Sequence, residues 1–136
     1  MKRTALTLAL ILALFSALIV QKAVAVENSW ETMAAMPTAR SGVGVAVVDG
    51  KIYAIGGTSG TQNKLGTNEV YDPETNTWSS KTPMPTPRVN FGIAVFQNKI
   101  YCIGGGTSVK SDGYVTNVNE VYDPSTDTWE NRTSIA

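Results

Sequence analysis

The chain has 136 residues, 43% of them apolar and 16% charged, with eleven basic and eleven acidic residues, no histidine and a single cysteine. Balanced charge excludes a strongly basic nucleic-acid binder, and the missing histidines remove the commonest general base and the commonest zinc ligand. One cysteine excludes an internal disulfide framework and any site built from several cysteines.

The chain opens with Lys2 and Arg3, carries no charge from Ala5 to Val20, and then reaches Ala23-Val24-Ala25. A basic start, an apolar middle and a small-x-small end read as a secretory signal peptide over residues 1–25, cut between Ala25 and Val26. A run of sixteen uncharged residues is near the lower limit for crossing a bilayer, so an uncleaved membrane anchor is the other reading. Either way, the remaining chain is expected outside the cytoplasm. Cleavage removes three basic residues and no acidic ones, which leaves a mildly acidic surface with no basic stripe for nucleic acid.

From there the sequence repeats itself. Met36-Pro37-Thr38-Ala39-Arg40 returns as Met84-Pro85-Thr86-Pro87-Arg88, and Lys51-Ile52-Tyr53-Ala54-Ile55-Gly56-Gly57 as Lys99-Ile100-Tyr101-Cys102-Ile103-Gly104-Gly105, both 48 residues on. Glu69-Val70-Tyr71-Asp72-Pro73 returns as Glu120-Val121-Tyr122-Asp123-Pro124 and Trp78 as Trp129, now 51 residues on. The three extra residues lie between the glycine pair and the Glu-Val-Tyr-Asp-Pro segment, so that segment is a surface loop.

Each unit divides into four short strands, and residues 26 onwards show no helical period. Strand a is expected over Gly42–Val48, followed by Asp49-Gly50, a favoured two-residue hairpin turn whose place Gln97-Asn98 takes in the second unit. Lys51–Ile55 alternates β-branched and aromatic residues as strand b. Strand c is Asn68–Tyr71, ended by Asp72-Pro73 because proline cannot donate into a ladder. Strand d runs Thr77–Ser80 around Trp78. The expected plan is a signal peptide, a lone outer strand around Trp30 with its linker over 26–41, and two four-stranded units over 42–136, at about 42–82 and 90–131.

Gly-Gly after an apolar strand, then Tyr-Asp-Pro, then Trp, in two copies, resembles the kelch repeat. The resemblance covers residues 30 to 136 and implies an all-β fold, each unit one antiparallel blade of a β-propeller. Propellers close with roughly four to eight blades. Two are present, so the plan is an incomplete propeller awaiting further blades or self-association, and a fragment of a longer exported propeller is the simplest reading.

The recurring residues read as scaffold. Gly56, Gly57, Gly104 and Gly105 end strand b where a β-carbon would forbid the required dihedrals. Tyr71, Trp78, Tyr122 and Trp129 are expected to fill the wedge between blades. Arg40 and Arg88 are placed to tie adjacent blades together. These side chains could also stack on or hydrogen-bond a sugar, but recurrence in every unit argues for architecture. Cys102 stands where the first unit has Ala54 and reads as a buried, inert thiol. Asn131-Arg132-Thr133 matches a glycosylation acceptor.

The b–c loops differ most between units and place Lys64, Lys110, Asp112 and Tyr114 on the same end as the d–a connections. A protein or glycan ligand is expected there. No catalytic, cofactor or metal residue is identifiable. The function expected is an exported, non-enzymatic binding module. The alternative is part of a secreted sugar-acting kelch enzyme, mutarotase-like or galactose-oxidase-like. Copper-oxidase chemistry cannot reside in a chain without histidine.

Overall fold

The structure is a computed structural model that describes residues 29–59, 63–107 and 115–135. The chain divides into two compact units, Met1–Thr32 and Met33–Ala136. The expected signal peptide lies outside the described residues. Residues 29–36 form no strand, and Trp30 is fully exposed. The lone outer strand expected there is therefore not formed: the segment joins no sheet ladder, and Ala34 is held instead by the side chains of Asn76 and Trp78.

The second unit holds two four-stranded antiparallel sheets. The first orders β1 (Gly44–Val48), β2 (Lys51–Ile55), β5 (Asn68–Asp72) and β6 (Thr77–Lys81) side by side. The second orders β7 (Gly92–Phe96), β8 (Lys99–Ile103), β9 (Asn119–Asp123) and β10 (Thr128–Arg132) in the same way. Each is an up-and-down blade. Strand a starts two residues later than expected, at Gly44, because Gly42 adopts φ 65° and turns the chain before the ladder begins. The first b–c connection also carries a two-residue ribbon, β3 (Thr58–Ser59) paired with β4 (Asn63–Lys64).

Register decides what each sheet face meets. Gly44, Ala46 and Val48 pair with Ile55, Tyr53 and Lys51, and Tyr53 pairs on with Val70, so these residues share one face of the first blade. On the second blade Ile93 pairs with Cys102, while Ile100 pairs with Tyr122. These two faces meet. Ala46, Val48, Tyr53, Ile55 and Val70 form one buried cluster with Ile100, Cys102 and Tyr122, joined by Met84 and Phe91 from the linker. Strand β1 packs against β7 and β8. On the opposite faces Val45 and Val47 of the first blade and Phe96 of the second stay exposed.

Candidate functional site

The linker that enters each blade is pinned by a buried arginine. Arg88 places its guanidinium beside Glu120, donates from Nη1 to the Thr86 carbonyl at 2.9 Å, and from Nη2 to the Cys102 carbonyl at 2.8 Å. Thr86 Oγ1 donates to the other oxygen of Glu120 at 2.7 Å. Arg40 repeats the pattern with Glu69, the carbonyls of Thr38 and Ala54, and the Thr38 hydroxyl. Both guanidinium side chains are fully buried. Taking such a pair out of water is costly, and hydrogen bonds to the remaining donors and acceptors are what offset that cost. Burial alone would push the Glu69 carboxyl up, but the hydrogen bonds from Arg40 and Thr38 and the charge of Arg40 outweigh it, and the group lies below its ordinary range.

This geometry corrects one expectation. The arginine side chains do not bridge adjacent blades, since every acceptor they reach lies on their own linker or on strands b and c of their own blade. The reason is reach: strand c of the same blade presents a glutamate on the face the linker crosses, and the guanidinium is consumed there. The backbone makes the link instead. The Arg88 carbonyl accepts from Gly57 N at 3.0 Å, and the Gly42 carbonyl from Asn90 N at 3.1 Å. Gly56 and Gly57 adopt φ 67° and 100°, and a β-carbon on Gly56 would fall 2.7 Å from the Arg88 carbonyl oxygen. Gly104 and Gly105 repeat the conformation at 67° and 95°.

The rings sit between and beside the blades. Tyr122 is buried and packs on Trp129 at 5.0 Å between centroids, and on Tyr53 of the first blade at 5.9 Å. Tyr71 packs on Trp78 at 5.2 Å. Each tyrosine hydroxyl donates to the residue five positions on, Tyr71 to Asn76 and Tyr122 to Asp127. Burial, then the bond to Asp127, raises the Tyr122 hydroxyl, so it stays a donor. Cys102 is buried and its thiol is pushed up to about 12 by burial. It cannot act as a nucleophile from there.

Of the expected ligand-loop residues, Lys64 lies on β4, opposite Thr58. Lys110, Asp112 and Tyr114 lie outside the described residues. No group of histidine, cysteine or acidic side chains that could hold a metal is present among the described residues. Sequence reasoning missed Glu69 and Glu120 as partners of the arginines, and Asn76 and Asp127 as partners of the tyrosines. The glutamates were within its reach, because both recur at the head of the Glu-Val-Tyr-Asp-Pro segment.

Comparison with known proteins agrees with this geometry. The Kelch motif matches residues 39–85 and 87–134. A 61-residue stretch is 44% identical to the Kelch-like protein terF of Aspergillus terreus (strain NIH 2624 / FGSC A1156), covering 42% of this chain and 13% of that protein. The solved structure of YjhT superimposes with a TM-score of 0.69 at 20% identity, over 79% of this chain and 41% of YjhT. The chain thus spans well under half the length of either relative. It belongs to the kelch-repeat family, and its two four-stranded sheets are kelch blades of the β-propeller type.

Proposed function

We propose that the chain is an exported interaction module, part of a longer propeller, that presents its b–c and d–a connections to a protein or glycan ligand. One observation carries this reading. The residues shared by the two repeats are occupied inside the scaffold: the arginines by buried glutamates and the tyrosines by Asn76 and Asp127. The segments that differ between repeats are the b–c connections, at the end where Met84 N donates to the Gly66 carbonyl and Val89 N to the Gly106 carbonyl. A rigid frame carrying variable loops is the usual arrangement for recognition. The short coverage of both relatives supports the view that further blades complete the ring.

A glycan array and a displayed-peptide library, probed with the secreted chain, test this. Binding that disappears when residues 58–67 are replaced by a Gly-Ser linker, with the β-sheet circular dichroism unchanged, supports the loops as the ligand face. Turnover of a sugar without retained binding would overturn the module reading in favour of an enzyme. Export is tested separately by sequencing the amino terminus of the mature protein, which is expected to begin at Val26.

A further inference from the structure

One motif is left unused by the scaffold. Asn131-Arg132-Thr133 is the one place in the chain where an asparagine is followed two residues on, without a proline between, by serine or threonine. Asn131 and Arg132 end β10, and Thr133 is the first residue beyond it. The first repeat has Ser80-Lys81-Thr82 at the same positions, so the threonine recurs and the asparagine does not. The recurring part has a scaffold role. Asn119 Nδ2 donates to the Thr133 carbonyl at 3.3 Å, as Asn68 Nδ2 does to that of Thr82 at 3.2 Å. That role uses the backbone of Thr133 and asks nothing of the Asn131 side chain.

Asn131, Arg132 and Thr133 are all exposed, and the exposure of the first and last does not depend on what else packs on this blade. Register sets Asn131 opposite Glu120 and Trp129 opposite Tyr122, on the face of the second blade that meets the first. Asn131 is exposed with the first blade already in place, because β10 is the outermost strand and pairs with β9 alone. A following blade would meet the other face, where Glu130 and Arg132 pair with one another at 2.9 Å. Thr82 shows what such a blade leaves of the threonine. The second blade holds both of its backbone groups, and Thr82 is still exposed.

We propose that Asn131 is an N-glycosylation site, modified by a transferase that reads the asparagine together with the hydroxyl two residues on. The donor is a lipid-diphosphate-linked oligosaccharide. Asn131 Nδ2 bonds to the anomeric carbon of its first sugar, the bond from that carbon to the diphosphate oxygen breaks, the lipid diphosphate leaves, and one amide proton passes to the transferase. The site rests on the export part of the proposed function, because such transferases act on exported chains, and it is independent of the ligand loops. A bulky, hydrated glycan here stands beside the unpaired outer edge of β10, which a strand from another sheet could otherwise extend.

The test is translation of the full chain in the presence of endoplasmic-reticulum microsomes, followed by added protease and gel migration. The protease-protected chain is expected to carry one glycan, which peptide N-glycosidase removes, leaving aspartate at position 131 in the peptide mass spectrum. The increment is expected to vanish in Asn131→Gln and in Thr133→Ala, and to persist in Thr133→Ser and Arg132→Ala. All these side chains are exposed, so the variants fold. Failure of export is read separately, as a chain left open to the protease. In that case residues 26–136 are carried in behind an unrelated cleaved signal and are still expected to gain the glycan. A protected chain without the increment overturns the site, and so does an increment that survives Asn131→Gln.

Discussion

Trp129 of the second blade donates its indole Nε1–H to the carbonyl of Thr82, 2.9 Å away, at the exit from the first blade. The Thr82 amide in turn donates to Asp127 Oδ1 at 2.9 Å, so a single linker residue is gripped through both of its backbone groups. Trp78 and Asn76 hold Ala34 in the same way, at 2.8 and 2.7 Å. The tryptophan of strand d therefore serves the linker that precedes its own blade, and through Thr82 it fastens the rims of two neighbouring blades.

Trp129→Phe keeps a large ring over Tyr122 and removes only the N–H. Thr82 O retains its second donor, Asn68 Nδ2 at 3.2 Å, so the carbonyl is not orphaned. The expected cost is about 1 kcal/mol, the net worth of one hydrogen bond. Urea unfolding followed by circular dichroism checks it. No change in midpoint would mean that the indole contributes packing and nothing more.

Arg88 and Glu120 make the larger claim on stability. Arg88→Ala leaves the Glu120 carboxylate buried without its cation, and about 3–5 kcal/mol of stability is expected to go. Arg88→Lys keeps the charge but cannot span the Thr86 and Cys102 carbonyls from one nitrogen, so it recovers only part of that loss. The paired change Arg88→Met with Glu120→Leu removes both charges together and is expected to be far milder than Arg88→Ala. Denaturant midpoints of the three variants decide the matter, and a double variant as unstable as Arg88→Ala would refute the explanation.

Strand b was legible to its ends in both repeats, because alternation between a two-residue turn and a glycine pair leaves little freedom. Of the rings expected in the wedge, Tyr122 lies in the cluster between the blades with Trp129 packed against it, whereas Tyr71 and Trp78 pack on one another on the other face of the first blade. The arginine partners were harder to see: Glu69 lies 29 positions from Arg40, and only the strand order β1-β2-β5-β6 brings strand c beneath the linker. Ribbon β3–β4 gave no signal, being two polar residues on each side without alternation.

The glycine pair gives a contrast between two left-handed glycines. Gly56→Ala has to hold φ 67° and to fit a β-carbon 2.7 Å from a backbone oxygen that cannot move without breaking the interblade contact. About 2 kcal/mol or more of destabilisation is expected, at the upper end of the cost of a strained residue. Gly50 also has positive φ, at 72°, but nothing lies within 4 Å of an added β-carbon. Gly50→Asn is therefore expected to change stability by less than about 0.5 kcal/mol, because asparagine tolerates this turn. Equal losses at the two positions, measured by thermal unfolding, would show that backbone strain alone sets the cost.

Acid should unfold the protein through a small set of carboxylates. Hydrogen bonds from Lys99 and Ser125 lower Asp123 from 3.8 to about 2. The Lys51 hydrogen bond lowers Asp72, the Tyr122 hydroxyl lowers Asp127, and Glu69 is held down against its burial. In each case the unfolded chain binds the proton first. The stability these groups contribute is complete above the unfolded value, 3.8 for the aspartates and 4.5 for Glu69, and is lost as pH falls toward 2. A thermal midpoint that is flat from pH 5 to neutrality and drops below about pH 4 is expected. Added salt should weaken the contribution of the half-exposed Lys51–Asp72 and Lys99–Asp123 pairs before that of the buried arginines.

Cys102 supplies a probe of interblade opening. Its side chain is buried against Ile93 and Ile100 in the cluster that joins the blades, and burial pushes the thiol from 9.0 to about 12, with the Arg88 charge pulling weakly the other way. The folded thiol thus keeps its proton at pH values where an unfolded one begins to lose it. Its contribution to stability is full below pH 9 and is lost as pH rises through the folded value. Iodoacetamide at pH 8 is expected to leave the native protein unlabelled and to react only as fast as the blades part. The labelling rate should rise in Arg88→Ala, which loosens the linker beside Cys102, and stay near the native rate in Gly50→Asn, which touches only a solvent turn. Cys102→Ala reproduces Ala54 of the first repeat and is expected to fold, whereas Cys102→Ser buries a hydroxyl without a partner at about 1–3 kcal/mol. Rapid labelling of the native chain, uncorrelated with these variants, would place the thiol outside the blade interface.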